Sequence, residues 1–299
     1  MTPLKMLVAA AAVNAAMAPA HGQGRLEKIK SSGEIAIGYR DASIPFSYLD
    51  DHQAPVGYSM DICSKVVDAV QHKLGMEKIS VKLVPVTSST RIPLVANGTV
   101  DLVCGSATNT EERQKQVSFA PTTFVTATRF AARKSSNVTD LDSLKGRTVV
   151  STAGTSNIRW LTGINDAEHR QMRIIPTKDH PAAMLTVANG RAVAFFMDDV
   201  LLASLVANER KPQDWMISRD TYTVEPYAIM EPKDDPAFKQ VVDDAVASMM
   251  KDGSLSALYK KWFEMPIAPK NINLNLPMSE ALAHAIANPT DAADPARYR

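Results

Sequence analysis

Cysteine is nearly absent. The chain holds two among its 299 residues, Cys63 and Cys104, too few for a disulfide scaffold and in no spacing that makes a zinc site. Neither charge sign dominates: 33 Lys+Arg stand against 32 Asp+Glu. No long basic run occurs, which excludes a general nucleic-acid or polyanion binder. The six histidines include no His-x-x-x-His pair. There is no Gly-x-Ser-x-Gly elbow, no Walker loop and no Gly-x-Gly-x-x-Gly turn. No enzyme class is indicated on these grounds, and neither a metal nor a cofactor is expected. Past the first twenty residues no run is long and apolar enough to span a membrane. What remains, 45% apolar and 22% charged residues, is the balance of a folded soluble protein.

Residues 1–20 read MTPLKMLVAAAAVNAAMAPA. Lys5 is the only charge, an apolar stretch follows, and Ala18-Pro19-Ala20 ends it. A charged start, a short apolar core and an Ala-x-Ala end make a cleavable export signal. The stretch is well short of the roughly 20 apolar residues of a membrane span. Cleavage after Ala20 would deliver the mature chain to an oxidising, exported compartment, the periplasm.

Along the rest of the chain the apolar period switches between two and about 3.6, which indicates alternating strands and helices in an α/β fold. Glu34–Gly38, Val81–Val86 and Val100–Cys104 read as strands. Ser59–Leu74 is a helix with Ile62, Val66, Val70 and Leu74 on one face and Gly75 as its stop. Ser88–Ala96 is a short helix closed by Asn97-Gly98. The second half repeats the grammar: strands at Thr148–Thr152, Met172–Ile175 and Ala192–Met197, a helix beginning at Thr155, and another at Pro181–Ala188 closed by Asn189-Gly190. Polar residues follow each strand that comes after an Asn-Gly, and in open α/β sheets ligands lie beyond the carboxyl ends of strands. Asp235-Pro236 starts a C-terminal helix, and Asp291–Arg299 is expected to fray.

The chemistry at these strand ends is arginine and hydroxyl. Arg40 follows the first strand, Ser88 and Arg91 open the short helix, and Ser106, Thr108 and Arg113 follow the third strand. The planar fork of arginine offers a carboxylate two parallel charge-assisted bonds. Asp198, past an apolar strand, is the natural partner for an ammonium group.

At these residues the chain resembles the periplasmic solute-binding proteins of polar amino-acid ABC transporters, nearest to the glutamate/aspartate-binding branch. The likeness runs from about residue 26 to about 275. It rests on Arg40-Asp41-Ala42-Ser43-Ile44-Pro45-Phe46-Ser47-Tyr48, Gly57-Tyr58-Ser59-Met60-Asp61, Thr87-Ser88-Ser89-Thr90-Arg91-Ile92-Pro93-Leu94, Cys104-Gly105-Ser106-Ala107-Thr108-Asn109-Thr110-Glu111-Glu112-Arg113, Lys178-Asp179-His180, Met197-Asp198-Asp199 and Lys260-Lys261-Trp262-Phe263. The resemblance implies a type II two-lobed fold. Residues 25–125 and 227–275 would form the first lobe and 126–226 the second, with hinge crossings near 123–127 and 224–227 and a tail at 276–299. It implies that Arg113, Thr108 and the turn at Thr155-Ser156 hold an α-carboxylate, and that Asp198 and Ser106 hold the α-ammonium. Arg40, Ser88, Arg91 and His180 would clamp a side-chain carboxylate, so the implied ligand is L-glutamate or L-aspartate and the implied partner is an inner-membrane permease complex. No nucleic acid is expected, and a monomer is. An imidazolium at His180 would weaken binding as pH rises through its pKa.

Two alternatives stand beside this reading. One is a periplasmic dehydratase of aromatic precursors on the same fold, of the cyclohexadienyl or arogenate kind; a cleft carrying Arg40, Arg91 and Arg113 is too cationic for a mostly apolar substrate. The other is a membrane receptor's sensor domain, disfavoured because no spanning segment follows the lobes. Cys63 and Cys104 are expected to be separately buried small residues. A disulfide, which the compartment would allow, needs Cα atoms within roughly 7 Å.

Overall fold

The computed structural model describes residues 24–298, so the export signal expected at 1–20 lies outside the described residues. Two five-stranded sheets organise the chain. In the first, the strand order is Ser80–Pro85, Glu34–Tyr39, Leu102–Cys104, Met230–Pro232, Val117–Phe119. In the second it is Arg173–Thr177, Thr148–Thr152, Ala194–Asp198, Thr128–Arg133, Trp215–Ile217. The first three strands of each run parallel, and the fourth is an antiparallel strand on the far side of the third. The strands Leu102–Cys104 and Ala194–Asp198, each following an Asn-Gly stop, therefore hold the same third position in their sheets. The sequence echo is a topological one.

Helices cover both sheets for the reason their patterns gave. The helix Tyr58–Leu74 buries Ile62, Val66 and Val70 and ends at Gly75, whose left-handed φ of 62° closes the last turn. The helix Pro236–Lys251 starts where Asp235 accepts a hydrogen bond from the Phe238 N–H at 3.0 Å and packs its own apolar face on Tyr58–Leu74. The short helix begins later than its composition indicates, at Arg91 rather than Ser88. Thr87 and Thr90 exchange side-chain and backbone hydrogen bonds there, and such local bonds compete with the helix.

Between the sheets the strands Phe124–Thr126 and Glu225–Tyr227 pair antiparallel as a two-stranded ribbon. Aromatics are only 6% of the chain, yet they gather at its base. Phe124 and Tyr227 from the ribbon meet Phe46 at 4.9 and 5.1 Å, and Phe124 stacks on Phe263 at 4.8 Å. Edge-to-face and offset pairs of this kind add to their large buried area. The crossing is thus fixed to the first lobe by a dry aromatic cluster, while its Thr126 and Glu225 ends lead to the second.

Two expectations fail. Asp291–Arg299 does not fray through its described length to residue 298. Tyr298 is 3% exposed, donates to the Ala292 carbonyl at 2.7 Å and shares a 2.8 Å hydrogen bond with Thr122 Oγ1. The Asp291 carbonyl accepts from Asn109 and Gln114, and its carboxylate lies 2.9 Å from Lys239 Nζ. Every one of these partners except Ala292 is distant in sequence, so local composition could not report them. The cysteines are not separate either. Cys63 and Cys104 form a disulfide, with Cα atoms 6.2 Å apart. The helix carrying Cys63 lies over the end of the strand carrying Cys104, and Ser59 Oγ adds a hydrogen bond to the Gly105 carbonyl at 3.2 Å beside it.

The bond closes a loop with a sequence separation of 41, and in the chain-entropy account such a loop stabilises the fold by about 4 kcal/mol. Thiol titration of the unfolded, unreduced protein is expected to find no free thiol. The double variant Cys63→Ala/Cys104→Ala is expected to lose about 2–4 kcal/mol in urea unfolding. Two titratable thiols per chain would contradict the bond.

Candidate functional site

The site lies where strand ends from both lobes face one another. From the first lobe, Arg40 follows the strand Glu34–Tyr39. Its side chain lies over Gly105, where an added Cβ would come within 2.8 Å of Arg40 Cγ, so a side chain there would require a shift. Arg91 opens the short helix and donates to the Ser106 carbonyl at 2.7 Å. Arg113, in the turn capped by Thr110, donates to the Thr108 carbonyl at 2.7 Å. Two guanidinium groups therefore brace the loop 105–108 from either end. Arg40, Arg91 and Arg113 are all buried.

From the second lobe come the turn 154–156, His180 and Asp198. The Asp198 carboxylate accepts from Asn157 Nδ2 at 2.7 Å and from the Tyr227 hydroxyl in a short bond. His180, the first residue of a helix capped by Asp179, places Nδ1 2.9 Å from Thr152 Oγ1. The lobes touch directly: Arg113 Nη2 donates to the Gly154 carbonyl at 3.3 Å, Thr108 and Ser156 hydroxyls lie 3.2 Å apart, and Glu112 pairs with Arg159. Gly154 has a φ of +77°, and a Cβ there would meet the Ser89 backbone at 2.6 Å. The close approach of the two lobes at Ser88–Ser89 needs glycine on both counts.

Burial sets the electrostatics. Arg40 is brought down to about 10 by desolvation. Arg91 is held well below the usual arginine range by desolvation and then by Arg113 and Arg40. His180 is pushed well below its ordinary value by burial first and by Arg40 and Arg91 second. Both causes favour the neutral imidazole over the imidazolium considered above. Asp198 is raised to about 7 by burial and the neighbouring Glu225 charge.

Arg40, Ser88, Arg91, Thr108, Arg113, Ser156, His180 and Asp198 meet in this shared region, and Ser106 enters it through its carbonyl. Thr155 is expected to act through its backbone; its hydroxyl donates to the Thr152 carbonyl at 2.7 Å and caps Ile158 N at 3.2 Å, which shapes the turn. Four buried atoms in the cluster have no hydrogen-bond partner among the described residues: Arg40 Nη1, Ser88 Oγ, Arg91 Nε and His180 Nε2. In the tautomer whose Nδ1 accepts from Thr152, Nε2–H is a donor too. These atoms can together receive an anion. A groove of about 410 Å³ lined by Ile44, Met184, Leu201 and Leu205 adjoins the cluster at His180 but is mainly apolar. Sequence reasoning missed Asn157, Thr128, Glu225 and Tyr227. Asn157 stands one residue past the Thr-Ser turn, and Glu225 and Tyr227 stand in the hinge crossing, but no local pattern marks them as polar groups of the site.

Ionising Asp198 in the cleft costs stability. A carboxyl raised from its unfolded value to about 7 favours the fold at low pH, and that contribution is lost as pH rises through about 7. Asp198→Asn keeps the shape and one acceptor oxygen for Asn157, and its amide N–H can donate to the Tyr227 hydroxyl oxygen. It is expected to raise the ligand-free melting temperature at pH 8, with the gain vanishing near pH 4; no gain at pH 8 in calorimetric scans would contradict a charged, desolvated Asp198.

Known proteins share this fold and much of this sequence. The model of the bacterial extracellular solute-binding proteins, family 3, matches residues 35–265. An L-glutamate/L-aspartate-binding protein of Pseudomonas aeruginosa is 47% identical over 97% of this chain and 96% of its own. A glutamate/aspartate import solute-binding protein of Escherichia coli is 44% identical over 92% of this chain and 91% of its own. Among solved structures, a solute receptor for L-cysteine of Neisseria gonorrhoeae superposes with a TM-score of 0.69 at 26% identity, covering 79% of this chain and 92% of its own. With its two α/β lobes, their paired crossing and a family match through nearly all of both, this chain belongs to the bacterial extracellular solute-binding proteins of family 3.

Proposed function

We propose that the protein binds an acidic L-amino acid, glutamate or aspartate, between its two lobes and delivers it unchanged to an inner-membrane ABC permease. The observation that carries this reading is the set of unpaired buried atoms on Arg40, Ser88, Arg91 and His180. It stands apart from Arg113 and Asp198, which suffice for the α-carboxylate and α-ammonium that every amino acid has. A second anion-binding set has work only if the ligand has a second carboxylate. Thr108, Ser106 and the 154–156 turn complete the common end, and neutral His180 donates from Nε2 rather than contributing charge. The ligand bridges residues of both lobes, so closure gains contacts that an open form lacks. The glutamate/aspartate-binding relatives at 44–47% identity support the ligand class and a role in transport rather than catalysis, which leaves the dehydratase reading without support. The division into 25–125 with 227–275 and 126–226, cleavage after Ala20 and a monomeric mature protein complete the proposal.

A thermal-shift panel of the common amino acids on ligand-stripped protein tests it. Glutamate or aspartate at a hundred times its dissociation constant is expected to stabilise by about 2.7 kcal/mol, and glutamine, histidine and lysine to do little. A neutral or basic amino acid heading the panel would overturn the reading. Arg91→Met removes one charge from the second set, and losing one partner of a desolvated ion pair costs about 3–5 kcal/mol. Calorimetric titration is expected to show glutamate weakened about a hundredfold or more, with weak glutamine binding little changed. Equal loss for both ligands would move Arg91 to the common end.

Glutamate affinity is also expected to fall as pH drops below about 7, because the ammonium must then displace a proton from Asp198. An affinity that instead weakens between pH 7 and 8 would restore the imidazolium at His180.

A further inference from the structure

Glu225 is a second buried carboxylate in the site that none of the ligand assignments uses. It stands on the strand Glu225–Tyr227 of the crossing ribbon and is 4% exposed. Its Oε2 accepts from Ser156 at 2.7 Å, and its Oε1 from Thr223 at 2.7 Å and from Thr128 at 3.4 Å. Asn157 joins it to Asp198: one amide N–H goes to Asp198 Oδ1 and the other to Thr128 Oγ1, each at 2.7 Å. Through Ser156 it reaches Thr108 on the opposite lobe. Hydroxyl donors thus face both carboxylate oxygens.

The charges then add up in an informative way. The cleft holds three buried guanidinium groups, Arg40, Arg91 and Arg113, and a neutral His180. Against them stand Asp198 and Glu225. Of the remaining nearby carboxylates, Asp199 lies 3.6 Å from Arg129 and accepts from Thr126, Asp179 caps its helix and is half-buried, and Asp41 is exposed; the last two act on Arg40 from outside the fully buried set. With Asp198 ionised the fully buried set is one positive charge in excess, and a ligand with two carboxylates and one ammonium brings it to zero. Without Glu225 the excess would be two, which a dicarboxylate lacking the ammonium would neutralise.

We propose that Glu225 is a specificity-determining residue, whose carboxylate sets the cleft's charge so that an amino dicarboxylate is preferred over a plain dicarboxylate. This inference rests on the acidic amino-acid reading above. Glu225 acts through the field at Asp198 and the ammonium rather than by touching the ligand. That field also raises Asp198, so removing it is expected to carry the acid limb of glutamate binding to lower pH.

The test is calorimetric titration of wild type, Glu225→Gln and Glu225→Asp with glutamate and with glutarate, its counterpart without the amino group, between pH 5 and pH 8. Wild type is expected to favour glutamate strongly. Glu225→Gln is expected to cut the glutamate-to-glutarate preference at least about tenfold and to flatten the pH dependence between pH 6 and 7. Glu225→Asp, which keeps the charge, is expected to restore both. Glu225→Met, which needs no hydrogen-bond partner, replaces the glutamine variant if that one fails to fold. If the neutral variants weaken both ligands by one factor with an unmoved pH profile, Glu225 serves the scaffold and the proposal falls. If wild-type protein binds neither glutamate nor aspartate, the ligand reading itself fails first, and this inference with it.

Discussion

Three guanidinium groups buried in one small volume are the constraint on which the rest of this molecule depends. Like charges taken out of water repel with little screening, and each has given up its hydration. The shifts of Arg40 and Arg91 away from the ordinary arginine range record that cost. Such a cluster survives only where backbone carbonyls and negative charge meet it. Carbonyls at Ser106, Thr108 and Gly154 supply the first. Asp198 and Glu225 supply part of the second, and both come from beyond the first lobe. The arrangement that brings the lobes together is therefore also the one that sets negative charge against Arg91 and Arg113.

The scaffold serves this constraint by rigid placement. Arg40, the 105–108 loop and Asp198 sit at carboxyl ends of strands, whose hydrogen-bonded ladders leave the following loops little freedom. The disulfide and Ser59 tie the helix Tyr58–Leu74 to residues 104 and 105, just before Ser106. The aromatic cluster under the ribbon places Tyr227 so that its ring belongs to the core and its hydroxyl to Asp198. A buried acid that is costly to ionise is thus held in place by apolar packing under the cleft. Function draws here on stability obtained elsewhere in the fold.

The C-terminal segment extends this arrangement past the part of the chain that the family model matches, which ends at residue 265. Thr290, Asp291 and Tyr298 bond to Thr122, Asn109, Gln114 and Lys239. Thr122 lies two residues before the ribbon. The tail consequently closes over the first-lobe end of the crossing and shields its backbone from water.

By itself the sequence determined the alternation of strands and helices, the two Asn-Gly stops that mark equivalent strands, and the strand-end arginines and aspartate. These are local properties: a period in the apolar residues, a cap, a charge just past a strand. Resemblance to a known family then supplied the pairing of those residues into one cleft. Only the tertiary structure decided what depends on groups distant in sequence. It joined Cys63 to Cys104 because a helix lies across a strand end. It buried Tyr298 against Thr122, and it pushed His180 toward the neutral form by burial first and by two neighbouring arginines second. It also set Glu225, Asn157 and Thr128 behind Asp198. Desolvation and charge coupling are sums over everything within a few ångströms, and no window along the chain contains those neighbours.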